Sequence, residues 1–240
     1  MNADAQLLLA WERGFGRPPM EQAIVMLATA IPQLSTKQIV EMPIGRRDGM
    51  LLDLRKRLFG NRIELLGDCP ECSEVVELDF EVDDILLESA TPQDVYITEV
   101  DGLEIAFCLP TTKNLVAVTN VAPDKRADEI ITACVTRVGE NEHWQGEVSL
   151  TASMQQRITA AMAEQDPQAD VQLELECVAC QHRWTSPFDI VSLLWSELNA
   201  WCQRLLGEIH TLAKAYGWTE HEILSLGRWR RQVYLNMVRQ

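Results

Sequence analysis

The chain has 240 residues and an ordinary apolar fraction, enough to bury a core in one large domain or two small ones, and this excludes wholesale disorder. Its formal charge of −15 is uneven: residues 1–67 carry nine Lys/Arg against seven Asp/Glu, residues 68–188 six against 24, and residues 189–240 six against five. An acidic middle repels phosphate, so neither nucleic acid nor an anionic membrane is expected as a partner; the segment is either a solvated surface or a face matched to a basic protein.

The stretch MNADAQLLLAWERG has no basic start and meets Glu12 and Arg13 too early for a signal peptide. The runs AIVMLATAIP and IVSLLW fall short of the roughly 20 residues that span a bilayer, so the expectation is a soluble, cytoplasmic protein. DAQLLLAWERGF reads as an amphipathic helix, and RPPMEQAIVMLATAIPQL as a second, with Pro18 and Pro19 at its start and Pro32 at its exit. STKQIVEMPIG reads as extended or irregular. RRDGMLLDLRKRLFG gives a third helix with Leu51, Leu54 and Leu58 on one face and Gly60 as its stop.

The period then changes from helical to two. Ile63 and Leu65 alternate with charged residues before Cys69, and Val76, Leu78, Phe80 and Val82 alternate with acids after Cys72. Asp83-Asp84 reads as a turn after that strand. DVYITEVDGLEIAFCLP is a hairpin signal around Asp101-Gly102. Thr111 or Thr112 can cap a helical stretch; DKRADEIITACVTRVG and SLTASMQQRITAAMAEQD predict two further helices, the latter capped by Thr151, with GENEHWQGEV and EQDPQADV as loops. Val171, Leu173 and Leu175 restore the period of two before Cys177. From Ile190 to Tyr216 an apolar stripe at spacings of three and four, widened by Val191, Trp195, Cys202 and Leu206, predicts a long helix buried on two flanks. Gly217 ends it, Thr219 and Glu222 form a capping box for TEHEILSL, and RWRRQVYLNMV closes the chain as a basic amphipathic helix.

Seven cysteines, an odd number with no export signal, argue against a disulfide framework. Cys108, Cys134 and Cys202 lie in apolar patterns and read as small buried hydrophobes. The other four form two Cys-x2-Cys turns, Cys69/Cys72 and Cys177/Cys180, separated by the 104 residues from 73 to 176. A Cys-x2-Cys turn offers two thiolates to one ion, and two turns complete the tetrahedron that Zn²⁺ prefers. Each turn follows one strand signal and precedes another. The flanks also match: four residues past the second cysteine stand Val76 and Trp184, and eight past it Phe80 and Phe188. The expectation is one structural Zn²⁺ per chain in a split zinc ribbon, although iron can use the same ligands and His182 could replace one of them. A redox Cys-x2-Cys would sit at the start of a helix instead. Where many such turns place Gly after the second cysteine, this chain has Ser73 and Gln181, which must then bear positive φ.

No enzyme signature is present. There is no phosphate-binding glycine loop or dinucleotide fingerprint, and HEILSL has Ser225 where a zinc protease needs its second histidine. The expectation is a protein that is not an enzyme.

Three stretches together, MLLDLRKRLFG, the split CPEC…CVAC pair followed by HRW, and AYGWTEHEILSLGRWRRQVYL, resemble the T4-type phage baseplate hub assembly chaperone family, in the branch found with phage-tail-like contractile injection systems. The likeness runs from about Gly45 to the end. It implies a cytoplasmic assembly factor that binds hub or baseplate proteins. The alternative is a zinc-ribbon adaptor of another complex, such as one in transcription; Glu71, Glu74, Glu77 and Glu176 beside the cysteines count against contact with nucleic acid.

The fold class expected is α+β: a predominantly helical chain with a split zinc-ribbon β module and a β-hairpin in its insertion. Its expected divisions are an N-terminal helical region 1–62, the ribbon module 63–188 with a largely helical insertion over about 111–166, and a C-terminal region 189–240. On the last helix Trp229, Val233, Tyr234 and Met237 make an apolar stripe amid Arg228, Arg230, Arg231 and Arg239; the layout is that of a helix laid into a partner's groove, while the same stripe also suits a helix that packs on its own domain or swaps onto a second copy of the chain.

Overall fold

The computed structural model describes residues 3–87, 93–139 and 150–238; most of the expected GENEHWQGEV loop, and Arg239, lie outside them. In chain order the elements are α1 (Ala3–Gly14), α2 (Pro19–Ala30), α3 (Thr36–Glu41), α4 (Ile44–Phe59), β1 (Arg62–Asp68), β2 (Val75–Glu81), α5 (Val82–Ile85), β3 (Tyr96–Val100), β4 (Leu103–Phe107), α6 (Thr112–Ala117), α7 (Arg126–Cys134), β5 (Val135–Val138), α8 (Ala152–Gln165), β6 (Gln172–Glu176), β7 (Arg183–Pro187), α9 (Ile190–Tyr216), α10 (Glu220–Ser225) and α11 (Arg228–Val238). Short 3₁₀ turns occupy Pro123–Lys125 and Pro167–Ala169. The class is α+β, helical for the most part with small antiparallel sheets.

Three local readings change. STKQIVE is helical because Ser35 and Gln38 cap it reciprocally: the Ser35 N–H donates to Gln38 Oε1 at 2.9 Å and the Gln38 N–H returns to Ser35 Oγ. VTRV, expected to continue a helix, is the strand β5. Its β-branched residues pair with β4, and the Cys108 N–H bonds the Cys134 carbonyl at 2.9 Å. Asp83-Asp84 belongs to the one-turn helix α5, with Asp84 accepting from the Glu81 N–H at 2.7 Å.

Two compact units emerge, residues 34–190 and residues 1–33 with 191–240. In the first, the hairpin β3–β4 turns through Asp101 (φ 52) and Gly102 (φ 78); both central residues are left-handed, as a two-residue turn that keeps the strand twist requires. β5 adds to the free side of β4. Val100, Ile105 and Phe107 of this sheet pack with Ile131 of α7 and with Met154, Ile158 and Met162 of α8 in one buried cluster. A second anchor ties α4 to the turn after α8. The Gly45 N–H donates to Asp166 Oδ2 at 2.9 Å, and a Cβ at Gly45 would overlap the Asp166 carboxyl and approach the Ala169 nitrogen to 2.8 Å.

In the other unit α9 runs 27 residues, about 40 Å at 1.5 Å per residue. It buries Leu194, Leu198, Cys202, Leu205, Ile209 and Leu212. Trp11 of α1 donates to Asn199 Oδ1 at 2.8 Å. Thr219 and Glu222 cap α10 as the sequence indicates. Arg231 of α11 is not a rim residue. It is 2 % exposed and pairs with Asp4 at 2.7 Å and Glu208 at 3.3 Å, so it fastens the last helix to α1 and α9.

Arg231→Ala should therefore lower stability by about 3 kcal/mol, because both carboxylates lose their counter-charge and the hole is buried. Chemical denaturation of the full chain measures this, and Arg230→Ala, on the exposed side of the same helix, should change the midpoint little.

Candidate metal centre

The two Cys-x2-Cys turns are the tips of two antiparallel hairpins. β1 pairs with β2 from Arg62↔Glu81 to Asp68↔Val75, and β6 pairs with β7 from Gln172↔Pro187 to Glu176↔Arg183. The tips are built alike. In the first, the Cys69 N–H bonds the Glu74 carbonyl at 2.9 Å and the Ser73 N–H bonds the Cys69 carbonyl at 2.9 Å. In the second, the Cys177 N–H bonds the His182 carbonyl at 2.9 Å and the Gln181 N–H bonds the Cys177 carbonyl at 2.8 Å. Ser73 and Gln181 take φ of 59 and 61, the left-handed strain that their positions imply.

The hairpins bring together all four cysteines expected to be ligands. Their Sγ atoms lie within 4.8 Å of one another. Cys69 Sγ is 3.7 Å from Cys180 Sγ, and Cys72 Sγ is 3.6 Å from Cys177 Sγ, so the near pairs cross between the turns. Four thiolates bound at 2.3 Å in a tetrahedron stand about 3.8 Å apart. The cluster is therefore compatible with one ion between the tips. Cys69 and Cys177 are buried, while Cys72 and Cys180 face solvent. Val76, Leu78 and Trp184 pack against the buried pair. Farther down, Phe80 and Phe188 meet edge to face at 5.9 Å, joining the matching positions that the sequence singled out. His182 stays outside the sulfur cluster and stacks on Trp184 at 6.0 Å.

The electrostatics are those of a site suited to a cation. The backbone N–H of Cys180, helped by that of Ala179, holds the Cys177 thiol down to about 7 against burial. At Cys72 the Glu74 N–H favours the thiolate, but the Cys180 thiol, burial and Cys177 outweigh it and push the group up to about 12. Packed sulfurs resist ionising together, and a divalent cation removes that resistance. Four sulfurs around one ion leave no open position for water, so the site has the form of a structural centre. Each turn leads into a strand, β2 or β7, and not into the helix that a redox pair uses. Cys134 and Cys202 are fully buried; burial foremost, with Glu12 nearby, pushes the Cys202 thiol up to about 12.

The stripe expected on the last helix divides. Trp229 is 77 % exposed and Met237 57 %, with Val233 half-buried between them. Tyr234 turns inward to an aromatic group with Tyr216 and Trp218, whose rings lie 5.6 and 4.9 Å from it. A buried polar group that the sequence did not reveal is Arg47, which bonds Asp48 at 2.7 Å and Thr112 Oγ1 at 2.9 Å; burial raises the Asp48 carboxyl, while Arg47 opposes the shift.

A family model described as T4 bacteriophage base plate protein matches residues 4–195. The chain belongs to this family. Both cysteine turns lie inside the matched segment, whereas AYGWTEHEILSLGRWRRQVYL lies beyond it. No curated protein and no solved structure matches the chain. For this base plate family member, no helix among the described residues is long and apolar enough to cross a membrane.

Titrating the reduced, metal-free protein with Co²⁺ should give the intense charge-transfer bands of tetrahedral thiolate coordination, saturating at one ion per chain. Cys177→Ser removes a buried ligand and should weaken the ion's binding at least about tenfold, the scale on which a perturbed site loses affinity. Saturation at no ion would show that the four sulfurs do not form a site.

Proposed function

We propose that the chain is a non-enzymatic assembly factor, a chaperone for the baseplate or hub of a phage-tail-like contractile injection system, acting in the cytoplasm on baseplate or hub proteins. The observation that carries this reading is the base plate family match, which spans both cysteine hairpins. We take the metal to be Zn²⁺ and the paired hairpins to be the two halves of a zinc ribbon. Zn²⁺ suits four thiolates, and the equivalent turn hydrogen bonds and the matching Ser73 and Gln181 support the ribbon form.

The ion's role is mechanical. It links residues 72 and 177 across the intervening chain, and its binding energy, available only in the folded state, offsets the loop entropy that this closure costs. The insertion carries its own core of β3–β5, α7 and α8, so the ion's direct reach is the two hairpins. An adaptor in transcription is the weaker reading, since the exposed Glu71, Glu74, Glu77 and Glu176 surround the cysteines where a nucleic-acid contact would place basic residues.

Co-expressing the baseplate genes of such a system with and without this chain tests the reading. Assembled baseplates, counted by electron microscopy, should fall sharply without it, and mass spectrometry of purified baseplates should find the chain absent. Its presence at fixed stoichiometry would make it a structural component, and undiminished assembly would remove the role. Metal analysis of protein purified without chelators should find about one zinc per chain. An iron-loaded red protein would change the ion and keep the ligands.

A further inference from the structure

We propose that this chain associates head to tail with copies of itself, the outer face of α11 in one molecule seating on the outer face of the β1–β2 hairpin in the next. This goes beyond the assembly role and does not depend on it. Two exposed surfaces carry the inference, one basic and one acidic, each with apolar residues at its centre.

The first surface is on the hairpin. Along β1 and β2 alternate residues point away from the sulfur cluster, and on this outer side Leu66 is 73 % and Val75 53 % exposed. Leu66 faces Glu77 across the ladder and Val75 faces Asp68, so the two apolar side chains sit on a diagonal amid Glu64, Asp68 and Glu77. An open depression of about 360 Å³ beside them is lined by Arg62, Glu64, Leu66, Glu77 and Asp79. Arg62 is already held by Asp79 at 2.8 Å and Glu64 at 3.0 Å.

The other hairpin supplies an internal control. Three residues before its first cysteine, where the first hairpin has Leu66, stands Glu174. Three residues after its second cysteine, where the first has Val75, stands Arg183. Both are exposed. The hairpin fold thus accepts charge at these positions, and the apolar pair on the first hairpin needs another reason.

The second surface is on α11. Leu235, 3 % exposed, and the ion-paired Arg231 fix one side of the helix to its own unit. At 100° per residue, Trp229, Val233 and Met237 form an i, i+4, i+8 row on the opposite side. Arg230 is exposed beside the row, Arg228 is exposed at the helix start about 100° round from Trp229, and α11 contains no acidic residue.

Charge selects the pairing. Two copies of α11 face to face would oppose arginines, and two β1–β2 hairpins would oppose carboxylates, so neither surface suits its own copy. Each suits the other. A contact between different surfaces of identical chains is heterologous and propagates from molecule to molecule. Both patches are small, so the association belongs to the weak class of interfaces, with micromolar dissociation constants and sensitivity to salt.

Sedimentation of the full, zinc-loaded chain from low micromolar to several hundred micromolar tests this. The wild type should associate progressively, and less in raised salt. Trp229→Ala, Leu66→Glu and Val75→Arg should each weaken association by about tenfold or more. The last two install the residue types that the second hairpin already carries, so these variants should keep their metal and circular dichroism. Mixing Trp229→Ala with Leu66→Glu should yield heterodimers and nothing larger, because only one intact helix-to-hairpin pair remains. A wild type monomeric at every concentration, association that survives these substitutions, or a mixture that stays monomeric would overturn the proposal. In the first case the exposed row on α11 is left for a different protein, and the baseplate co-expression is unaffected by that result.

Discussion

Four sulfur atoms within 4.8 Å of one another set the constraint on which the two cysteine hairpins depend. Thiol groups so close do not ionise together without a cation, and each hairpin by itself is two strands with one apolar side, a form that is marginal alone in water. The tips are shaped for the junction. Both accept left-handed backbone at a non-glycine residue, and both close with the same pair of backbone hydrogen bonds. Below the tips Val76, Leu78 and Trp184 shield the buried sulfurs, and the Phe80–Phe188 contact carries the pairing farther along the hairpins. Thiolate geometry, turn strain and apolar packing therefore point to one arrangement.

The insertion follows a different logic. Its sheet β3–β5 has a buried side filled by α7 and α8, with Ile105, Phe107 and Ile158 fully enclosed. That core rests on apolar burial, worth about 1.5–3 kcal/mol for each large side chain removed from water. It is tied back to α4 through Asp166 and the close approach at Gly45. A long segment between the two cysteine pairs would be an entropic burden on their meeting if it were loose. Here much of it has order of its own, so less loop entropy opposes closure of the four-sulfur site.

The last helix shows how one amphipathic sequence can serve two sides. Leu235, Tyr234 and Arg231 turn inward, and the arginine is held by carboxylates from both α1 and α9. A charged residue counted as solvent rim is in fact the fastening, because a guanidinium can satisfy several acceptors at once when its stem is buried. What remains outward is a shorter apolar row and two arginines.

The sequence alone determined the elements with strong periodicity or explicit caps: the 27-residue helix, the Thr219–Glu222 capping box, the Asp101-Gly102 turn and the strands flanking each cysteine pair. It also singled out the four cysteines that the structure brings together, because Cys-x2-Cys spacing is a local geometric requirement and two such turns leave little else to pair with. It did not reveal α3 or β5. The first depends on a reciprocal cap within an irregular-looking run, and the second on β-branched residues following a helix without a break in polarity. Only the tertiary structure decided that the first two helices form a compact unit with the C-terminal region, that Tyr234 faces inward while Trp229 faces outward, and that Arg231 is buried. Those outcomes turn on which distant side chains fill the space beside a helix, and periodicity gives a helix its faces without naming what each face meets.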